Sequence, residues 1–275
     1  MSATLGQHRR TKTISVTSGK GGVGKTTIVS NLAFALARQG QRVLILDGDL
    51  GMSNVDIMFG LKAEANIHQV ITGEIEVSQA ITPLGHGIDL ISGGSGIVEL
   101  NRLNSFERRT MMESLAALDG LYDYMLIDTA PGISDNVLYL NSAAQEISIV
   151  INPDPASLTD SYALIKVLNQ EYKQSHFSII CNQVRDEVDG LALYNRFNEV
   201  VSRFLFVGLD YWGAISQDPL FRKSTQNQRL ILKHDPTSES SRQLLNISMK
   251  LERSLVRKNE KAGLQFFWDQ VVGVA

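Results

Sequence analysis

Cysteine is almost missing from this chain: Cys181 is alone among 275 residues. A lone cysteine excludes an internal disulfide framework and any intrachain CxxC metal or cluster site. Apolar runs of membrane-spanning length are also missing. The longest apolar stretches, such as Arg42–Leu46 and Ile147–Ile151, are strand-sized, whereas a spanning helix needs about 20 apolar residues. There is no basic excess either, with 26 Lys and Arg against 29 Asp and Glu and a net charge of −3. Nucleic-acid binders carry a basic surplus or a basic stripe, so no nucleic-acid partner is expected. Met1–Arg10 holds two arginines but no apolar core, so no secretory signal is expected. No internal repeat, low-complexity tract or obvious linker interrupts the chain. Together these absences lead us to expect a cytoplasmic protein.

What is present is a regular alternation. Hydrophobic residues make up 43%, enough for a substantial core, and the length suits one large α/β domain. Candidate strands are Thr13–Thr17, Arg42–Leu46, Ile88–Ile91, Tyr124–Asp128, Ile147–Ile151, Phe177–Cys181 and Leu209–Ala214. Most are continuous aliphatic and β-branched runs, the pattern of strands buried on both faces of a parallel sheet. Helical candidates lie between them: Lys25–Arg38, Phe106–Leu118, Ser134–Ala143, Leu158–Tyr172 and Leu191–Phe206. A longer polar helix follows Pro236, roughly at Ser238–Lys261. Strand–helix alternation implies right-handed crossovers. The expected fold class is α/β, a doubly wound, mostly parallel sheet with helices on both faces.

Gly19-Lys20-Gly21-Gly22-Val23-Gly24-Lys25-Thr26-Thr27 matches the phosphate-loop pattern G-x-x-x-x-G-K-[ST]. It follows a strand and opens a helix, as that motif requires. Its glycines let successive N–H groups point inward at phosphate oxygens, and the helix N-terminus favours an anion. Lys25 is placed to reach the β- and γ-phosphates of a nucleotide, and the Thr26 hydroxyl to sit on Mg²⁺. Asp47 and Asp49 close the second strand, where carboxylates face the ligand crevice of a parallel sheet. Two apart in an extended segment, they share a side; alone, such a pair also reads as a strand-ending turn. The fourth strand ends on Asp128, an arrangement that binds Mg²⁺ through water, and is followed by Thr129-Ala130-Pro131-Gly132.

The second lysine, Lys20, gives the KGGVGKT form. In this the sequence resembles the MinD/ParA family of deviant Walker-A ATPases, from Ile14 to the tail. The resemblance implies a P-loop NTPase fold, ATP and Mg²⁺ as cofactors, and an ATP-dependent homodimer in which each Lys20 reaches the partner's phosphates. A cation supplied in trans stabilises transition-state charge only when two subunits meet. The resemblance makes Asp49 the residue that orients or deprotonates the attacking water. Asp47 then helps hold the Mg²⁺ water shell or the P-loop lysine, and Gly132 senses the γ-phosphate through its N–H. Asp47, Asp49, Asp128 and Gly132 together form the expected switch.

The resemblance also implies a base pocket. Asn182 stands where the family uses an asparagine to bond the adenine edge, an amide offering both donor and acceptor; it also reads as a strand-end turn residue. Ser216 and Asp218 fall in the segment that meets adenine after the last strand, though the family often has proline where Ser216 stands. Asp154, in Asn152-Pro153-Asp154, matches an acidic residue that reaches the nucleotide across the dimer.

The end of the chain is GLQFFWDQVVGVA, Gly263–Ala275. At about 100° per residue, Leu264, Phe267, Trp268, Val271 and Val272 share one helical face. This resembles the membrane-targeting helix of MinD-like proteins, and a Trp and Phe face suits the bilayer interface. The stripe equally suits a groove of the protein itself. The chain is expected to divide into a short extension at 1–12, an ATPase domain at 13–261 and an amphipathic helix at 262–275.

Further stretches narrow the branch. Asp47–Asp56, Ile91–Gly96, Thr159–Lys166 and Gln265-Phe266-Phe267 are similar to the flagellar-number regulators, the FlhG/FleN group. The resemblance implies a weak ATPase that acts as a switch on a flagellar transcription regulator. Further partners in that group are the SRP-type flagellar GTPase and the inner membrane surface. Met1–Arg10 does not contain the D-Q-A-x-x-L-R motif of members that stimulate the GTPase. The competing expectations are a MinD-type division-site regulator and a ParA-type DNA-partition ATPase. The acidic balance and the apolar tail oppose the latter.

Overall fold

The structure is a computed structural model that describes residues 10–50, 52–94 and 103–256, with side chains through 252. The apolar tail at 262–275, with Leu264, Phe267, Trp268, Val271 and Val272, lies outside the described residues, as does most of the expected N-terminal extension. Eight strands form one sheet among the described residues: β1 Lys12–Thr17, β2 Val43–Gly48, β3 Ile81–Gly85, β4 Ile88–Ile91, β5 Tyr124–Thr129, β6 Glu146–Ile151, β7 His176–Val184 and β8 Gly208–Ser216. Their spatial order is β3-β4-β2-β5-β1-β6-β7-β8. All neighbours pair in parallel except β3 with β4.

The continuous apolar runs split by residue parity onto two faces, because successive side chains of a strand point opposite ways. In β2, Val43 and Ile45 join one core and Leu44 and Leu46 another. The first core is closed by α1 Lys25–Arg38, α9 Ile231–His234 and α10 Glu239–Val256. The opposite face is covered by α3 Ile67–Ile71, α4 Ser105–Ala116 and α5 Asp135–Ala143 at one end. At the other end α5 is joined by α6 Pro155–Tyr172 and α7 Glu187–Phe204. Short helices α2 Val55–Met58 and α8 Pro219–Gln226 complete the set.

Helix starts follow local chemistry. Helix α6 begins at Pro155, three residues before the expected Leu158, because the Asp154 side chain accepts from the Ala156 N–H and proline fits the first turn. Helix α7 begins early for the same reason, with the Asp186 side chain capping Asp189 N–H. Strand β3 was not expected: Ile81-Thr82-Pro83-Leu84-Gly85 is broken by a proline, which a sheet tolerates on an edge strand.

The topology positions the site. From β1 the chain crosses to β2 on one side, β5 inserts between them, and β6, β7 and β8 add on the far side of β1. Ligands of such sheets bind outside the carboxyl ends of the strands where the winding reverses, and the loop after β1 lies there.

Candidate functional site: a phosphate loop, a carboxylate switch and a base cleft

The loop between β1 and α1 needs its glycines. Gly22 and Gly24 have φ of +77° and +96°, a conformation that other residues adopt at a cost. Gly19 is required by space: a Cβ there would lie 2.1 Å from the Asp160 carbonyl carbon and 2.3 Å from the Ser161 nitrogen. The loop is therefore seated against the first turns of α6. Gly24 caps α1 in the left-handed conformation, and no side chain caps that helix. The N–H groups of its first turn are left for an anion, in the manner of helix N-termini that bind phosphate.

Ser18, which sequence reasoning did not single out, ties the loop together. Its Oγ accepts from Lys25 Nζ at 2.9 Å and donates to the Lys20 carbonyl at 2.6 Å. Its own carbonyl accepts the Gly132 N–H at 3.0 Å. Lys25 is thus buried and pointed into the loop, and Gly132, at φ +91°, is docked on the P-loop by the N–H expected to sense phosphate. The only signal for Ser18 was its place between strand and loop.

Asp47 and Asp128 are direct register partners on the adjacent strands β2 and β5. Their side chains therefore share a face at the mouth of the sheet. Asp128 Oδ2 accepts from the Thr26 hydroxyl at 2.6 Å. Its Oδ1 is buried without a hydrogen-bond partner. Burial first, and then the neighbouring Asp47 charge, push the Asp128 carboxyl up to about 8. A buried, unpartnered carboxylate oxygen beside a threonine hydroxyl fits a hard divalent cation with oxygen ligands, so Thr26 and Asp128 suit Mg²⁺.

Asp47 is held by the segment that follows it. Its Oδ2 accepts from Ser53 Oγ, Asn54 N–H and Val55 N–H, and its Oδ1 from Asp49 N–H. It thus holds the loop from Asp49 to the start of α2. Burial raises its carboxyl, and these hydrogen bonds oppose the shift. Asp49 is half-buried; burial raises it and the Lys25 charge lowers it. Burial in turn lowers the Lys25 ammonium, while Asp128 and Asp49 hold it up. Lys25, Asp47, Asp49 and Asp128 are thus one electrostatic cluster.

Lys20 stands apart from it. Its Nζ donates to Asp154 Oδ2 at 2.5 Å, and each side chain is 40% exposed. The Lys20 hydrogen bond is the main reason the Asp154 carboxyl lies below its usual range. The second lysine is therefore held at the surface, on the residue that caps α6.

A cleft of about 740 Å³ opens beside the loop, within the size range of small-molecule sites. It is lined by Gly22, Gly24 and Thr27 on one side and by Asn182, Gln183, Ser216 and Asp218 on the other. Asn182 spends its Nδ2 on the Val23 carbonyl at 2.7 Å, which leaves its Oδ1 for a ligand. Asp218 caps α8 through the Leu220 N–H and accepts from Ser240 Oγ. Its carboxylate thereby braces the cleft wall. The predicted residues Gly21 and Val23 also lie in the loop, with Val23 buried. Cys181 sits in β7, fully buried, and burial pushes its thiol up to about 12.

Comparisons place this geometry among known proteins. The ParA family model, described as the NUBPL iron-transfer P-loop NTPase, matches residues 9–252. The chain is 34% identical to the antiactivator FleN of Pseudomonas aeruginosa over 268 residues, which cover 98% of this chain and 96% of that protein. It is 32% identical to the flagellum site-determining protein YlxH of Helicobacter pylori, covering 95% and 90% of the two chains. Among solved structures, the MinD cell division protein of Aquifex aeolicus has the same fold, with a TM-score of 0.72, 24% identity and coverage of 88% and 97%. The septum site-determining protein MinD of Pyrococcus horikoshii, complexed with Mg-ADP, matches with a TM-score of 0.70, 25% identity and coverage of 91% and 99%. Among the described residues, no helix is long and apolar enough to cross a membrane.

Proposed function

As the chain belongs to the ParA family of P-loop NTPases, we propose that it is an ATP-driven dimerisation switch that sets flagellar number by binding a flagellar transcription regulator. The observation that carries the switch is the placement of Lys20. One lysine, Lys25, serves the chain's own phosphate cradle, while the other is held at the surface by Asp154. A surface lysine on the phosphate loop is useful to a nucleotide mainly when it comes from a second copy. Similarity to FleN and YlxH along nearly the whole chain supports the flagellar branch.

The residues divide the work as follows. The Gly19–Thr27 backbone and Lys25 hold the phosphates, and Asn182 and the Ser216–Asp218 segment hold the base. Thr26 and Asp128 would hold Mg²⁺, and Asp47 keeps the loop from Asp49 to Val55 in place. Bound Mg²⁺ supplies charge neutralisation at the phosphoryl oxygens. Asp49 orients the attacking water, with its charge balanced by Lys25. Gly132 exchanges its bond to Ser18 for one to the γ-phosphate, which moves the segment that follows β5. Hydrolysis is slow, because the ATP state must last long enough to be read. The tail at 262–275 meets the inner membrane in that state, and the SRP-type flagellar GTPase is a further partner.

The resemblance of the fold to MinD supports a second reading, a membrane-associated division-site regulator. Deleting the gene and counting flagella by electron microscopy separates the two. An altered flagellar number is expected; normal flagella with minicells would transfer the protein to the division-site reading. The switch itself is tested by sedimentation in Mg-ATP. Asp49→Ala is expected to accumulate as a dimer and Lys20→Ala to lose dimerisation or hydrolysis. A monomeric Asp49→Ala protein would contradict the assignment.

A further inference from the structure

The wall of the base cleft contains a hydrogen-bond relay whose polarity follows from chemistry alone. Gln243 on α10 meets Ser216, the last residue of β8, at two points. The Ser216 backbone N–H donates to Gln243 Oε1 at 2.9 Å. Gln243 Nε2 approaches Ser216 Oγ at 2.8 Å and Glu239 Oε1 at 3.4 Å. Amide oxygen and nitrogen are ordinarily told apart only by their partners. Here a backbone N–H can only donate, so the atom facing it is the oxygen. The nitrogen must then face Ser216 Oγ, and an amide nitrogen can only donate.

The consequence falls on the hydroxyl. With Oγ accepting from Gln243, the Ser216 proton is turned away from α10. Among the described residues no acceptor takes it. Both side chains are nearly buried, at 7% and 9% exposure, and Ser216 lines the cleft. The frame is stiff: Ser240, one turn earlier on α10, donates to Asp218 at 2.8 Å. Ile247, one turn later, packs against Gly213 of β8.

We propose that Gln243 is a positioning residue that sets Ser216 as a hydrogen-bond donor to a ring nitrogen of the bound base. This rests on reading the cleft as the nucleotide site. It adds a residue outside the phosphate loop and the switch that orients a donor toward the base. A proline at position 216 has neither the N–H nor the hydroxyl for this relay, so the device belongs to a chain with serine there.

The experiment is calorimetric titration with Mg-ADP and its 1-deaza, 3-deaza and 7-deaza analogues, each of which lacks one ring acceptor. In the wild type, one analogue is expected to bind about five- to tenfold more weakly, the worth of a single hydrogen bond. Ser216→Ala is expected to bind ADP and that analogue equally, and Ser216→Thr to restore the contrast. Gln243→Glu, made with Glu239→Gln to avoid a like-charge pair, places two acceptors on Ser216. It draws the hydroxyl proton toward α10 and should abolish the contrast while the thermal midpoint is kept. A structural role for Gln243 would weaken all four ligands alike. The proposal is overturned if no analogue is disfavoured by the wild type, or if the contrast survives in Ser216→Ala. Failure of the wild type to bind Mg-ADP at all would overturn the nucleotide reading itself, a distinct result seen in the first titration.

Discussion

Gly19 and Lys20 are neighbours with opposite requirements. Gly19 is there because the backbone of α6 passes where its side chain would be, whereas Lys20 is held at the surface by Asp154. The glycine has no substitute, since the clashing atoms are main chain and cannot rotate aside. Gly19→Ala is expected to cost about 1–3 kcal/mol in urea unfolding, as overpacking does, and to reduce nucleotide affinity because the loop must shift. Unchanged stability would mean that α6 moves freely to admit the methyl group. The glycines and lysines of the loop were legible in the motif. Ser18, Ser53 and Gln243 were not, since their importance comes from who donates to whom across 2 to 27 positions of sequence.

Helices and strands obeyed their sequence signals where the signal was periodic and capped. Helix α1 was expected at Lys25–Arg38 and is found there, because a glycine opens it and its apolar residues run along the core face. Helix α4 begins with a capping box. The Asn104 side chain accepts from the Phe106 and Glu107 N–H groups, and Glu107 accepts from the Asn104 N–H. Asn104→Ala is expected to lower stability by about 1 kcal/mol, read as an earlier chemical-unfolding midpoint. A neutral substitution would mean that tertiary packing alone holds the helix start. Strand β3 and the short helices α2, α3, α8 and α9 were not foreseen. They run four to eight residues, too short for a period to declare itself, and β3 pairs at an edge where a proline is tolerated.

At the scale of the whole molecule, the site joins both ends of the described chain. The loop follows β1, Asp47 and Asp128 lie at the ends of β2 and β5, and the cleft is lined by Ser216 of β8, which α10 braces through Gln243. Nucleotide binding there is therefore expected to stabilise the whole fold by mass action. Mg-nucleotide at a hundred times its dissociation constant is expected to contribute about 2.7 kcal/mol. For a chain of this size that raises the thermal midpoint by roughly 5–10 °C. Removing Mg²⁺ with a chelator should reduce the gain, because the protein itself offers the buried Asp128 Oδ1 no partner. The same midpoint with and without nucleotide would argue against the cleft as the binding site.

The sequence by itself determined the fold class and the phosphate loop. Both are written locally, in strand–helix alternation and in a contiguous motif whose glycines and lysines act within nine residues. It also placed Asp47, Asp49 and Asp128 at strand ends. Only the tertiary structure decided that Asp47 and Asp128 face each other across β2 and β5, that Asp47 holds the loop from Asp49 to Val55, and that Lys20 pairs with Asp154, 134 positions away. Such partners depend on strand order and register, which bring distant residues together through backbone pairing and leave no mark on the residues themselves.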